Sequence, residues 1–365
     1  MYPILNVKLM DDMVSIEVPH GDRTPISLYH NDPYNNYTWD DGLGSLTLRG
    51  KARMYHYGET IRKRYSSYVE NILAKNVQAQ SSFKRRCLET TLSVLAGLVP
   101  PTNASHWSQS HELAKLWQPI AVETTESSRA WLLNPDTECA AATAVKNAIP
   151  TEDPVLKAFL EKNKDFVQRV GWVYDAIFTE RNFFGDQFKM PEWLSKVGND
   201  TLARLKQFND FQFSIYANWP KYVKLRAGLL LKQTIDNMRG TAAIKEPLTA
   251  KNRQLFLYGT HDTMVSPVML ALGYLKEQPT YGSGVIIELR KHPQTKVPHV
   301  HVFYANVTNN AQIADFTTTF TRLELNHSER FSKLCHEASC SLDNFAASLK
   351  DYLVSDIEKE CSLPK

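Results

Sequence analysis

The chain has 365 residues, of which 43% are hydrophobic, and its formal net charge is +3. A chain of this size can bury a large core, either as one large domain with an insertion or as two domains. The small charge excess gives no case for nucleic acid as a partner, and no run of about 20 apolar residues is present to span a membrane.

The first predicted elements are a strand and two amphipathic helices. The β-rich run MVSIEV ends at Pro19, and apolar residues at helical spacing follow in TLRGKARMYHYGETIRKRYSSYVENIL and RRCLETTLSVLAGLVPP. Pro100 and Pro101 end the second helix, because proline cannot continue a helical hydrogen-bond pattern. LWQPIAVET is a short strand candidate.

The second half of the chain begins with a helical block and ends with strands. Residues 134–244 carry mostly helical periodicity, RQLFLYGTHDTMVSPVMLALGYL predicts strand, loop and helix, and SGVIIELRKH with VPHVHVFYANV predicts a hairpin. This order predicts an α/β core made of residues 1–133 and 245–365, interrupted by an inserted helical cap domain at 134–244.

Two predicted strands end in loops that carry a histidine, in EVPHGDR and LYGTHDT. Ligands of open α/β sheets bind at the carboxyl ends of strands, so His20 and His261 can meet only if their strands are neighbours. A neutral His20 could attack phosphorus, Gly21 would let the backbone approach a ligand, and Arg23 could bind phosphate oxygens. His261 could donate to the same phosphoryl group, and Asp262 could protonate the leaving oxygen.

Simpler interpretations exist for each of these signals. HGDR also fits a surface loop, and Thr260 or Asp262 could merely cap the helix that follows. The basic residues 84–86 fit a solvated face near a helix start. His299 and His301 alternate along one strand, but no third ligand has suitable spacing, so no metal is expected. No Gly-rich nucleotide loop occurs, and no cofactor is expected.

Sequons and cysteines favour a secreted protein. Cys335 and Cys340 are close enough in sequence to close a small loop, whereas Cys87, Cys139 and Cys361 complete an odd count of five. If the others pair, one thiol stays free; alternatively all five are reduced in a cytosolic protein. The candidate N-glycosylation sites are Asn36, Asn103, Asn199, Asn306 and Asn326.

Nearly the whole chain resembles the histidine acid phosphatases of the animal prostatic, lysosomal and insect venom type. The segments that carry the resemblance are HGDRTPI with NDPY, GLGSLTLRGKARMYHYGETIRKRY, LETTLSVLAGLVPP, LWQPIAV and YGTHDTMVSPVMLALG. The resemblance implies an α/β domain around a mainly parallel sheet flanked by helices, with a smaller helical domain inserted. It also implies the disulfides Cys139–Cys361 and Cys335–Cys340, which leave Cys87 free.

The resemblance also assigns roles to the residues of the two histidine loops. It implies that His20 is the nucleophile, that Arg23 and His261 bind phosphate, and that Asp262 donates the proton.

Two arginines of the family pattern are missing, because Pro19 stands where the family has an arginine before His20 and Gln80 aligns with a further one. We therefore expect phosphomonoesterase activity that is weak or lost and a pocket that binds a small ligand or partner. We expect the protein to be secreted, with a lysosomal location as the alternative. The alternatives are an active acid phosphatase, or a transfer or isomerisation on a non-phosphate ligand. A homodimer is also compatible with the resemblance.

Overall fold

The computed structural model describes residues 13–65, 74, 77–164, 173–196, 200–240, 254–292, 294–309 and 316–363. Its strands form one mixed sheet in the order β3-β2-β4-β1-β5-β6-β7, with β8 paired to β6. The strands are β1 (Met13–Pro19), β2 (Val77–Ser81), β3 (Val122–Thr124), β4 (Leu255–Thr260), β5 (Gly284–Lys291), β6 (Pro298–Asn309), β7 (Phe316–Leu323) and β8 (Cys340–Ser341).

The helices flank this sheet and fill the segment between β3 and β4. They are α1 (Leu48–Arg64), α2 (Arg85–Leu98), α3 (Leu113–Leu116), α4 (Ala140–Glu152), α5 (Pro154–Lys162), α6 (Tyr174–Phe184), α7 (Glu192–Ser195), α8 (Thr201–Ser214), α9 (Pro220–Arg239), α10 (Asp262–Leu272), α11 (Leu342–Leu349) and α12 (Ile357–Cys361). Short 3-10 helices lie at Asn103–Ser105, Ser127–Arg129, Gly185–Gln187, Ile215–Asn218, Leu325–His327 and Lys350–Tyr352.

The sheet has a parallel half and an antiparallel half. Strands β3, β2, β4 and β1 are parallel to one another, whereas β5 to β8 add on in antiparallel pairs. The predicted α/β class is confirmed, and so is the hairpin of β5 and β6. Because β1 and β4 are parallel neighbours, their carboxyl ends meet at one edge of the sheet.

Alternating side chains of the central strands build a core on each face of the sheet. Val14, Ile16 and Val18 of β1 pack in the same buried cluster as residues of α1 and α2, including Met54 and Leu98. This is the period-two pattern of a strand buried on both faces. The opposite face packs on α9 and α10, where the buried cluster contains Phe256, Tyr258, Leu231, Ile235 and Val268.

Helix α9 shows how the helical block meets the sheet. Its residues Leu230, Leu231 and Ile235 lie in the same buried cluster as the strands. The last helix of the block therefore lies on the sheet, whereas Ile177, Leu194 and Leu205 form a separate small cluster. The division into a core and an inserted domain at 134–244 remains a prediction.

Both disulfides implied by the resemblance are present, Cys139–Cys361 and Cys335–Cys340, and Cys87 is free and buried. Among the sequons, Asn36 and Asn103 are exposed and Asn306 and Asn326 are half-buried, whereas Asn199 lies outside the described residues. No helix in the described part of the chain has the length and apolar content needed to cross a membrane.

The contact between α1 and α2 depends on two glycines. A Cβ added at Gly58 would collide with the carbonyl oxygen of Val94, and one at Gly97 would collide with that of Tyr55. The two helix backbones therefore approach one another more closely than any larger side chain allows. This contact matters for the site, because α1 and α2 both carry residues that reach the histidine loops.

We predict that Gly58→Ala lowers the free energy of unfolding by at least about 2 kcal/mol, because the added methyl group forces the two helices apart. Chemical denaturation followed by circular dichroism measures the change, with Lys63→Ala, an exposed position on the same helix, as the control. A stability loss no larger than that of Lys63→Ala would contradict the close-packing account.

Candidate active site

The two predicted histidines lie side by side at the carboxyl edge of the sheet. Pro19 is in register with Thr260, and the backbone N–H of His20 donates to the carbonyl oxygen of Thr260 at 3.1 Å. The rings of His20 and His261 are 5.6 Å apart between centroids and meet edge to face. Both residues are only 3% exposed. The condition that their strands must be neighbours is therefore met.

The loop after β1 is held against α1 by a buried ion pair. Asp22, which is 1% exposed, accepts hydrogen bonds from Arg53 Nε at 2.5 Å and from Arg53 Nη2 at 3.0 Å. It also accepts a hydrogen bond from the side-chain amide of Asn182 on α6 and lies 3.7 Å from Arg49 Nε. A Cβ at Gly21 would lie 2.8 Å from the carbonyl oxygen of Gly50. The close approach of α1 thus requires glycine beside His20.

The imidazole of His20 is held as a neutral base. Its Nδ1 lies 3.1 Å from the carbonyl oxygen of Gly21, which can only accept, so Nδ1 carries the proton. Burial and the nearby charges of Arg23 and Arg86 hold the pKa of His20 well below its usual value of 6.5. With the single proton on Nδ1, the lone pair of Nε2 is available as a nucleophile.

His261 is also neutral, and both of its ring nitrogens have partners within the protein. Arg86 Nη2 donates to Nδ1 at 3.4 Å, and Nε2 lies 3.0 Å from the hydroxyl oxygen of Ser82. Burial and the charges of Arg86 and Lys84 lower the pKa of His261 to about 3. The thiol of Cys87 lies 3.5 Å from Nε2, and burial raises its pKa to about 12, so it stays protonated.

Two guanidinium groups flank the histidine pair with unused donors. Arg23 is 5% exposed; its Nη1 donates to Thr24 O at 3.2 Å and its Nη2 donates to Asp175 Oδ1 at 2.7 Å. Among the described residues, the Nε–H groups of Arg23 and Arg86 are both buried and have no hydrogen-bond partner. Buried donors of this kind are costly unless something accepts from them, so they point to a ligand that carries acceptor oxygens.

Asp262 opens α10 directly after His261. Its Oδ1 accepts from the backbone N–H of Thr263 at 2.8 Å, and its Oδ2 accepts from the side-chain amide of Gln278 at 2.6 Å. Burial raises the pKa of Asp262 above its ordinary value, and the hydrogen bond from Gln278 opposes the rise. A carboxyl group in this environment keeps its proton to higher pH than an exposed one and can act as a general acid.

Pro19 and Gln80, which stand where the family has arginines, lie on different strands. Pro19 is buried at the end of β1, directly before His20. Gln80 lies on β2, where its side-chain amide donates to Glu123 at 3.0 Å and its oxygen accepts from Gln233 at 3.3 Å. In the part of the chain that the structure describes, the side chain of Gln80 hydrogen-bonds to these two residues and not to either histidine.

Three side chains at the site were not assigned to it from the sequence. Arg86 was interpreted as part of a solvated face, but Lys84 begins the turn from β2 into α2 and Arg86 then points back to His261. Asp175 comes from α6, and the ring of Tyr281 lies 5.9 Å from that of His20 in a tilted arrangement. Neither has a local sequence signal, because the distant segments meet only in the folded chain.

An open cleft lies along α6. Its volume is about 1280 Å³, and its walls include Tyr174, Phe178, Arg181 and Lys206. The ring of Phe178 lies 5.6 Å from that of Tyr281, which in turn neighbours His20. Phe178 and Tyr281 therefore connect the histidine pair with this cleft.

Most of the chain is similar to known proteins. The histidine phosphatase superfamily (branch 2) matches residues 17–305. Prostatic acid phosphatase of Bos taurus is 30% identical over 316 residues, which cover 81% of this chain and 77% of the relative. Lysosomal acid phosphatase of Homo sapiens is 28% identical over 316 residues, covering 82% of this chain and 71% of the relative.

The chain therefore belongs to branch 2 of the histidine phosphatase superfamily, as a member similar to the histidine acid phosphatases. The phytase of Citrobacter braakii has the same fold, with a TM-score of 0.67 at 18% identity over 96% of this chain and 99% of that one. A Hafnia alvei phytase structure with tartrate has a TM-score of 0.66 at 17% identity, covering 96% and 98% of the two chains.

We predict that Arg86→Ala raises the pKa of His261 by about one pH unit, because it removes the cation that donates to Nδ1. NMR titration of the imidazole signals measures the change. Arg85→Ala is the matched control, since Arg85 is exposed and pairs with Glu89 at 2.7 Å. Equal shifts in the two variants would show that Arg86 does not act on the histidine directly.

Proposed function

We propose that this protein is a secreted phosphomonoesterase of reduced activity that works through a phosphohistidine at His20. The observation that carries the proposal is the neutral His20 imidazole, whose Nδ1–H is bound to Gly21 O, beside two guanidinium groups whose buried Nε–H donors have no partner among the described residues. Nucleophile, cations and a carboxyl group with raised pKa are the parts that phosphoryl transfer without a metal requires.

In the first step, Nε2 of His20 attacks phosphorus and the bond from phosphorus to the ester oxygen breaks. Asp262 gives its proton to that oxygen, which leaves as an alcohol. In the second step, water attacks phosphorus, Asp262 takes a proton from the water, and the bond between phosphorus and His20 Nε2 breaks. Inorganic phosphate is released and the imidazole of His20 returns to its neutral form. Arg23 and Arg86 donate to the phosphoryl oxygens in both steps. His261 donates its Nε2–H to the phosphoryl group when it exchanges its hydrogen bond with Ser82 for one to the ligand.

The reduced activity follows from the positions of the cations. A charge-assisted hydrogen bond to a transition-state oxygen is worth roughly 10²- to 10³-fold in rate. Pro19 supplies no such donor, and its ring also removes a backbone N–H next to the nucleophile. Arg86 offsets one of the two missing arginines. We therefore expect a hydrolysis rate about 10²- to 10³-fold lower than that of a site with both arginines, rather than the larger loss that two missing cations would cause.

A second candidate function is binding of a ligand without turnover. The observation that favours it is the ion pair of Arg23 with Asp175, because Asp175 occupies the arginine that would otherwise hold phosphate. In that case the protein binds oxyanions weakly and releases no alcohol from an ester.

The proposal that the protein is secreted rests on other residues. It is supported by the two disulfides and by the exposed sequons at Asn36 and Asn103, since disulfides persist in oxidising compartments. A lysosomal location is the alternative, because similar proteins include both prostatic and lysosomal acid phosphatases.

Hydrolysis of p-nitrophenyl phosphate at acid pH tests the proposal. We expect measurable turnover that falls to background in His20→Ala, because the nucleophile is gone, and is unchanged in the control His30→Ala, which alters an exposed histidine. We also expect the rate to fall as pH rises through the raised pKa of Asp262, since the proton donor is then lost. This fall in rate with rising pH should be absent from the residual activity of Asp262→Asn.

Two results decide against parts of this account. Background turnover in the unchanged protein, together with retained vanadate binding, would favour the binding function instead. Turnover that persists in His20→Ala would show that another group performs the chemistry.

A further inference from the structure

We propose that Asp175 is a specificity residue that makes the pocket discriminate against ligands with additional negative charge next to the phosphoryl group. The inference deepens the proposed function and rests on it. The observation behind it is that a carboxylate from α6 accepts from Arg23 Nη2 at 2.7 Å. The side chain of Arg23 is 6% exposed, whereas that of Asp175 is 41% exposed, so Asp175 reaches the arginine from the open side.

The geometry of Arg23 shows what a ligand has to displace. An arginine binds a phosphate with two parallel donors, and the pair Nε and Nη2 is one such fork. Here Nε is buried without a partner in the described part of the chain, whereas Nη2 donates to Asp175. A phosphoryl group can use the open half of the fork directly, but it must share or displace the carboxylate at the other half.

The charges around the pocket give this pair its effect. Burial lowers the pKa of both histidines, and the charges of Arg23 and Arg86 lower it further, with Lys84 adding to the effect at His261. Asp22 is paired with Arg53, and burial raises the pKa of Asp262, which keeps its carboxyl group closer to neutral. Asp175 thus offsets the positive charge of Arg23 from the open side. A second anionic group on a ligand would lie next to this carboxylate.

The ligand class that follows is a phosphomonoester of an uncharged alcohol. A single phosphoryl group fits between Arg23, Arg86 and the histidines. A neutral attached group can pass Asp175 and lie against the rings of Tyr281 and Phe178, which neighbour each other at 5.6 Å. A second phosphate directly beside the first would lie against the negative charge of Asp175, whereas Arg181 and Lys206 lie in the walls of the cleft along α6.

Equilibrium binding of inorganic phosphate and of methylenediphosphonate, measured by calorimetry at one pH and ionic strength, tests this role. The second probe carries two anionic groups and has no bond that the enzyme can hydrolyse, so the result does not depend on turnover. We expect Asp175→Asn and Asp175→Ala to bind phosphate about tenfold more tightly, because Arg23 is freed. The gain for methylenediphosphonate should be at least about threefold larger than the gain for phosphate.

The matched control is Asp186→Asn, which removes an exposed carboxylate just after α6. Phosphate affinity within twofold of the unchanged protein in both Asp175 variants, equal gains for the two probes, or equal gains in Asp186→Asn would each overturn the inference. The absence of phosphate binding in every variant would also overturn it, because an Arg23 that is no longer paired with Asp175 must bind phosphate. Thermal unfolding checks that the variants fold. Two substitutions of Asp175 are used so that the test still stands if one of them does not fold. Tighter phosphate binding without turnover would sustain the inference while the proposed hydrolysis fails.

Discussion

The parallel pairing of β1 with β4 is the constraint on which the site depends. It aligns Pro19 with Thr260, so the residues that follow, His20 and His261, leave the sheet at the same edge with their rings 5.6 Å apart. A slip of one residue in either strand would turn one histidine to the opposite face. The buried faces of both strands prevent such a slip, because Val14, Ile16 and Val18 must stay in the core shared with α1 and α2. Packing of the core therefore sets the relative position of the two histidines.

Burial and positive charge then determine the state of the two imidazoles. Both rings are held neutral by desolvation and by the cations Arg23 and Arg86, which favour an unprotonated nitrogen beside them. The same cations attract the anion that a neutral nucleophile would attack. Asp175 works against this attraction from the open side. The charges of the Asp175 carboxylate and of the Arg23 and Arg86 guanidinium groups thus determine which ligands the pocket accepts.

The sequence predicted the local parts of this arrangement better than the parts that come from distant segments. Strand patterns followed by HGDR and THD predicted His20 and His261 at strand ends, and helical periodicity predicted α1 and α2, because these signals lie within a few consecutive residues. Arg86 was missed because its direction depends on how the turn after β2 enters α2. Asp175 was missed because nothing near it in the sequence distinguishes it from any acidic residue in the first turn of a helix.

The most direct test of the central claim is to trap the phosphoenzyme. The protein is mixed rapidly with p-nitrophenyl phosphate, quenched in alkali to preserve phosphohistidine, and analysed by mass spectrometry of the intact chain and its peptides. Our account predicts one phosphoryl group, located on His20 and absent from His20→Ala. A phosphoryl group on another residue, or turnover without any phosphoenzyme in a rapid quench, would contradict it.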